Sequence, residues 1–255
     1  MARTWVLLRG LIRESRHWEQ FPAQFQAAFP DDRVVTLDLP GNGQLSDQRS
    51  PTRVEAMVAH LRDSLSREGL TPPFHVVALS LGAMVAVSWL HDYPGEVAGA
   101  VLMNTSVARF SPFWQRLRVQ NYNQVLQALL THDPVRKEAI ILALTSNYLD
   151  EQARQALARR WAGYAATHGV TRANALRQLY AAARFKAPAA LPAAVPVLVL
   201  NGGGDRMVDP RCSQALAAGW SVPLRVHADA GHDLTLDDGE WVLGQIRDWE
   251  VIPAT

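Results

Sequence analysis

The sequence has a single cysteine, Cys212, so an internal disulfide and a zinc site built on several thiolates are both excluded. It also lacks a charge excess. Lys+Arg 25 against Asp+Glu 24 leaves a net charge of +1. A dedicated nucleic-acid binder would carry a clear basic surplus. No apolar run approaches the ~18 residues of a membrane span. The apolar run near the start covers only Trp5–Leu8, too short for the ~7–15 residue core of a signal peptide. These absences together lead us to expect a cytoplasmic protein in a reducing setting. Lysine is nearly absent as well. Only Lys137 and Lys186 occur, and the other basic residues are arginines.

What is present is enough apolar material for a sizeable core: 48% hydrophobic residues against 19% charged in 255 residues. Continuous apolar runs fall at Trp5–Leu8, Arg33–Leu37, Phe74–Leu79, Gly99–Met103, Val195–Leu200 and Leu224–His227. Runs that do not alternate with polar residues suit strands covered on both faces, and the helical stretches between them suit βαβ units. The spacing predicts helices over Leu81–Leu90 and Glu240–Trp249. From residue 105 to 186 the strands stop. Helices are expected there over Gln115–Leu130, Pro134–Ser146, Asp150–His168 and Thr171–Phe185, with Asp150 and Thr171 as N-caps and Gly169 as a stop. The expected organisation is an α/β core, 1–104 and 187–255, interrupted by a helical insertion, 105–186.

The strongest local signal is Ala78-Leu79-Ser80-Leu81-Gly82, lying between a strand and a helix. So sharp a turn crowds the positions two before and two after the serine, and Ala78 and Gly82 are both small. It projects the Ser80 hydroxyl from the strand end. Alone, this pattern is equally an ordinary strand–helix connection with a capping serine. Two further segments follow in order. A Gly-rich turn after a strand carries Asp205, and Asp229-Ala230-Gly231-His232-Asp233 follows the next strand. Asp209 and Asp233 are alternative acids. Asp209 precedes Pro210 and suits a helix start, whereas Asp233, next to the histidine, tends to point away from it. The remaining histidines have no motif around them, and Gly202–Gly204 lacks the spacing of a phosphate-binding loop.

The order Ser80…Asp205…His232 resembles that of the α/β-hydrolase superfamily. Two more stretches carry the likeness. Arg9-Gly10-Leu11 resembles the family's His-Gly oxyanion loop, and Asp38-Leu39-Pro40-Gly41-Asn42-Gly43 its D-x-P-G-H-G loop, with Asn42 replacing His. The resemblance implies an α/β-hydrolase fold with a mostly parallel sheet. The chain starts only a few residues before the strand leading to Gly10. Two of the family's eight strands are therefore expected to be missing, leaving about six, and the helical insertion forms a cap.

For the site, the resemblance implies Ser80 as nucleophile, His232 as base and Asp205 as its orienting acid, with no metal and no cofactor. The backbone N–H groups of Leu11 and Leu81 are expected to form the oxyanion hole, and Gly10, Ala78 and Gly82 to support the turn. The implied activity is hydrolysis of a small-molecule carboxylic ester. Thioesterase, C–C bond hydrolase and non-catalytic receptor remain alternatives. A carboxylate nucleophile, as in haloalkane dehalogenases, is excluded by Ser80. Arg9 is expected to form a structural ion pair in preference to binding a substrate carboxylate.

Phe110, Phe113, Trp114, Tyr122, Tyr148, Trp161, Tyr164 and Tyr180 are candidate pocket liners. The insertion carries twelve basic residues against four acidic ones, and the rest of the chain thirteen against twenty. Such a basic surface would suit an acidic partner, for instance an acyl carrier protein.

Overall fold

The computed structural model describes residues 2–250. Six parallel strands form one sheet: β1 (Thr4–Leu8), β2 (Arg33–Leu37), β3 (Phe74–Leu79), β4 (Val97–Met103), β5 (Val197–Gly202) and β6 (Leu224–His227), in the order β2-β1-β3-β4-β5-β6. The continuous apolar runs are explained by the two faces. Along β1, Val6 and Leu8 face one core while Trp5 and Leu7 face the other. In β3, Val76 and Ala78 are likewise opposed to Val77 and Leu79. Side chains alternate across a strand, so a sheet covered on both sides needs apolar residues at every position.

Helices supply both covers. α2 (Val54–Arg67) presents Val54, Met57, Val58, Leu61 and Leu65 on one stripe, and α3 (Leu81–Asp92) is buried from Leu81 to Leu90. Both pack on the first face, with α9 (Arg211–Trp220). The second face is covered by α1 (Phe21–Ala28) and α10 (Leu234–Glu250). α10 begins six residues before the expected Glu240. It contains a break at Asp238 (φ −149°, ψ 80°), whose carboxylate accepts from Trp241 N at 2.9 Å and so starts the helix afresh.

Between β4 and β5 lie α4 (Phe113–Arg116), α5 (Tyr122–Leu130), α6 (Pro134–Thr145), α7 (Glu151–His168) and α8 (Arg172–Arg184). Asp150 and Thr171 cap α7 and α8 as expected, accepting from Ala153 N and Asn174 N. Gly169 follows α7 but with φ −71°, so the stop does not use a left-handed glycine. The single helix expected over Gln115–Leu130 is broken at Leu117–Asn121. There Arg118 N donates to Met207 O at 3.1 Å, and Gln115 O accepts from Asp209 N at 2.9 Å. Tertiary hydrogen bonds have outbid the local helix preference. α6 and α7 share a small core of Leu142, Leu157, Ala158 and Trp161.

The chain runs from β1 outward to β2, then returns to β3 on the other side of β1. The loops after β1 and β3 therefore diverge, leaving a crevice at their carboxyl ends, where ligands bind in sheets of this kind. Gly10 and Ser80 sit at that crevice.

Candidate active site

Ser80 occupies the β3–α3 turn with φ 55° and ψ −114°. A residue with a side chain is held in such a region at a cost of about 1–3 kcal/mol. Hydrogen bonds hold it there: Ser80 N donates to Met103 O at 2.9 Å, and Ser80 O accepts from Ala83 N at 3.1 Å and Thr105 Oγ1 at 2.9 Å. The small neighbours have direct reasons. A Cβ on Gly82 would lie 2.5 Å from Leu8 O and 2.6 Å from Arg9 O. Ala78 is fully buried in register with Leu8 of β1 and Leu102 of β4. A Cβ on Gly10 would lie 3.1 Å from Ser80 Cβ and 3.7 Å from its hydroxyl, so the β1 loop lies directly against Ser80.

The N–H groups of Leu11 and Leu81 have no acceptor among the described residues. The next amide is different. Ile12 (φ 55°) donates to Gln178 Oε1 of α8 at 2.9 Å. Gln178 is fully buried, and its Nε2 donates to Asn42 Oδ1 at 2.7 Å and Ser50 Oγ at 3.0 Å. Asn42 Nδ2 in turn donates to Arg13 O at 2.8 Å. Asn42, where the family motif has His, thus anchors the Gly10 loop through Gln178. Nothing in the spacing around Gln178, mid-helix in a polar stretch, signals this.

His232 Nδ1 and Asp205 Oδ2 are 2.7 Å apart, both buried. Asp205 Oδ1 accepts from Met207 N at 2.8 Å and Val208 N at 2.9 Å, so both carboxylate oxygens are engaged. An ionised carboxylate only accepts, which puts the proton on Nδ1 and leaves Nε2 as the free ring nitrogen. Burial disfavours the charged ring, but the negative charge and hydrogen bond of Asp205, with Asp233 behind it, outweigh burial and raise the His232 pKa above 6.5.

The competing acids are engaged elsewhere. Asp209 pairs with Arg211 at 2.6 Å, and Asp233 pairs with Arg9. Arg9 is therefore in an ion pair, as expected. Asn104 joins two strand ends: its Nδ2 donates to His232 O at 2.8 Å and its Oδ1 accepts from Gly202 N at 2.8 Å. The Gly202–Gly204 run is explained by packing. A Cβ at Gly202, Gly203 or Gly204 would fall 2.4, 2.6 or 2.4 Å from a carbonyl oxygen of the loop carrying His232.

Ser80 and His232 line one cavity of about 430 Å³, together with Gly10, Leu11 and Leu81. Its other walls are largely apolar side chains of α5, α6 and α8. Of the eight aromatic candidates, Phe113 and Tyr122 face it. The other six do not. Phe110 packs on Trp220, Trp161 and Tyr164 surround His17, Tyr148 meets His227, and Trp114 and Tyr180 are exposed. Cys212 is buried, which pushes its thiol pKa up and leaves it unreactive. Of the ten arginines of residues 105–186 six are exposed, Arg109, Arg136, Arg159, Arg160, Arg172 and Arg184, and half of the ten bond to backbone carbonyls. Arg109, Arg116, Arg118, Arg172 and Arg177 each donate to a backbone carbonyl of the chain itself.

Residues 5–245 match the model of a family described as "Alpha/beta hydrolase family". No curated protein sequence matches the chain. Among solved structures, a thermophilic esterase from Thermogutta terrifontis is similar at 20% identity and TM-score 0.76, over 98% of this chain and 90% of that one. The esterase RhEst1 from Rhodococcus sp. is similar at 22% identity and TM-score 0.70, over 97% and 90%. A hydrolase from Pseudomonas aeruginosa gives 17% identity and TM-score 0.77, over 98% and 91%.

Proposed function

This chain belongs to the alpha/beta hydrolase family, and on that premise we propose that it is a serine hydrolase that cleaves a carboxylic ester through an acyl-enzyme on Ser80. The observation that supports this most is the 2.7 Å contact between Asp205 and His232, beside Ser80 in one cavity. Ser80 Oγ attacks the ester carbonyl carbon while His232 Nε2 takes the hydroxyl proton. The carbonyl oxygen becomes an oxyanion, accepting from Leu11 N and Leu81 N. Loss of one such donor typically costs ~3–4 kcal/mol of transition-state stabilisation. As the tetrahedral adduct collapses, the ester C–O bond breaks and His232 returns the proton to the departing alcohol. Water then repeats the sequence on the acyl-enzyme, releasing the acid and restoring Ser80. Asp205 holds the tautomer and stabilises the transient imidazolium.

The helices between β4 and β5 act as the lid, since α5, α6 and α8 enclose the cavity. An ester is favoured over a thioester or C–C bond because two of the similar structures are named as esterases. The test is turnover of p-nitrophenyl esters. Ser80→Ala is expected to abolish it, and a variant that keeps parental turnover contradicts the proposal.

A further inference from the structure

Five charged side chains line the cavity: Arg9 and Asp233 pair with each other, Arg116 donates to the carbonyls of Ala182 and Ala183, and Arg13 and Lys137 remain. Arg13, three residues past Gly10, is buried. Its Nη1 donates to Glu138 Oε2 at 2.6 Å, and its guanidinium carbon lies 4.5 Å from the Trp161 ring centroid. Its Nη2 is buried with no hydrogen-bond partner among the described residues. A buried charged donor left unsatisfied is costly, so its persistence calls for a ligand.

Lys137 of α6 lines the same cavity. Burial pushes its pKa down; Glu138 opposes this, and the nearby Arg13 and Arg172 add to it. Lys137 thus shares this wall with the Arg13–Glu138 pair, and Arg172 stands nearby. The surroundings are apolar: Val125, Leu129, Ile141 and Leu179 line the same space.

α6 sets the distance between this end and the chemistry. Lys137, Ile141, Leu144 and Thr145 all face the cavity, as their spacing on one helical face requires. Thr145 O accepts from Asp233 N at 2.7 Å, so that end of the helix touches the residue next to His232. Lys137 lies two turns away, about 12 Å of helix rise.

We propose that the cavity holds an anion-recognising subsite, in which Arg13 Nη2 and Lys137 Nζ bind a carboxylate or phosphate group at the far end of the substrate from its scissile ester. The subsite rests on the proposed ester hydrolysis and names its substrate class: an ester joined through an apolar chain to a distal anion. The apolar walls take the chain. The two cations take the end group through charge-assisted hydrogen bonds, Arg13 offering the planar donor and Lys137 the compact one.

The experiment compares kcat/KM for monomethyl esters of linear α,ω-dicarboxylic acids with dimethyl esters of the same acids. Methyl esters of ω-phosphorylated acids form a second anionic arm, which separates carboxylate from phosphate recognition. The anionic ester is expected to exceed the neutral one by about tenfold or more in at least one arm. That ratio should fall towards one in Lys137→Met, chiefly through KM, and be largely restored in Lys137→Arg. Arg13 is tested in the charge-balanced pair Arg13→Gln with Glu138→Gln, which avoids stranding Glu138.

A parental ratio near one in both arms, or a ratio unchanged in both the Lys137 and the paired variant, overturns the subsite. Calorimetric titration of Ser80→Ala with the same intact esters reads the binding preference without turnover. An error in the nucleophile and an error in the subsite are thereby distinguished.

Discussion

Arg9 and Asp233 face each other in a two-pronged ion pair, Nη1 to Oδ1 at 3.0 Å and Nη2 to Oδ2 at 2.5 Å, with both side chains almost fully buried. The pair ties the end of β1, which leads into Gly10, to the residue that follows His232. The Arg9 guanidinium also lies over the Trp18 ring, 4.8 Å from its centroid. The two loops expected to carry the oxyanion donor and the base are thus held in fixed relation by one contact.

Breaking that pair from one side strands a charge. Asp233→Asn leaves the Arg9 guanidinium buried beside a neutral amide, and is expected to destabilise the fold by about 3–5 kcal/mol. The double variant Arg9→Met with Asp233→Leu is expected to recover most of that loss, because apolar replacement removes both desolvation costs. Urea unfolding of the three proteins measures the difference. An Asp233→Asn protein as stable as the parent contradicts the assignment.

The raised pKa of His232 has a signed consequence. His232 must be neutral to accept the Ser80 proton, so kcat/KM is expected to rise with pH along a limb whose midpoint lies above 6.5. A pH–rate profile with its acid limb below that value contradicts the reading. For stability the sign is opposite: a raised folded-state pKa contributes fully below pH 6.5 and fades as pH rises through the folded value. Asp233 behaves the other way. Burial would raise its pKa, but Arg9 overrides this and lowers it, so its contribution is present above pH 3.8 and is lost on acidification through the lower folded value.

Gln178 is expected to act as a positioning residue. Gln178→Leu removes the acceptor for Ile12 N and the donor to Asn42, each orphaned group costing about 1–3 kcal/mol. The Gly10–Arg13 loop then loses its support from α8. The expected result is a fall in kcat that exceeds any rise in KM, with Gln178→Glu restoring part of the loss through its retained acceptor oxygen. Steady-state kinetics on a p-nitrophenyl ester decide this, and unchanged kcat in Gln178→Leu contradicts it.

The residues that were legible in the sequence share a local cause. Ser80, Asp205 and His232 each follow a strand and sit among small residues that the loop geometry demands, so pattern and position coincide. The two-faced sheet is written the same way, in apolar runs that do not alternate. What could not be read depends on partners far along the chain. The partner of Arg9 is 224 residues away, and that of Ile12 is 166 away. The break at Leu117 exists because Met207 O in the acid loop accepts from Arg118 N, and Gln115 O accepts from Asp209 N of that loop, whereas the local propensity of Gln115–Leu130 favours one helix. The arginine excess of residues 105–186 gave a charge but no orientation, and half of those side chains bond to backbone carbonyls.

The central claim, an acyl-enzyme on Ser80, is tested most directly by mass spectrometry after reaction with a fluorophosphonate. The account predicts one adduct, on the peptide containing Ser80, that is lost in Ser80→Ala and strongly slowed in His232→Ala. An adduct on another residue, or labelling that persists in Ser80→Ala, would contradict it.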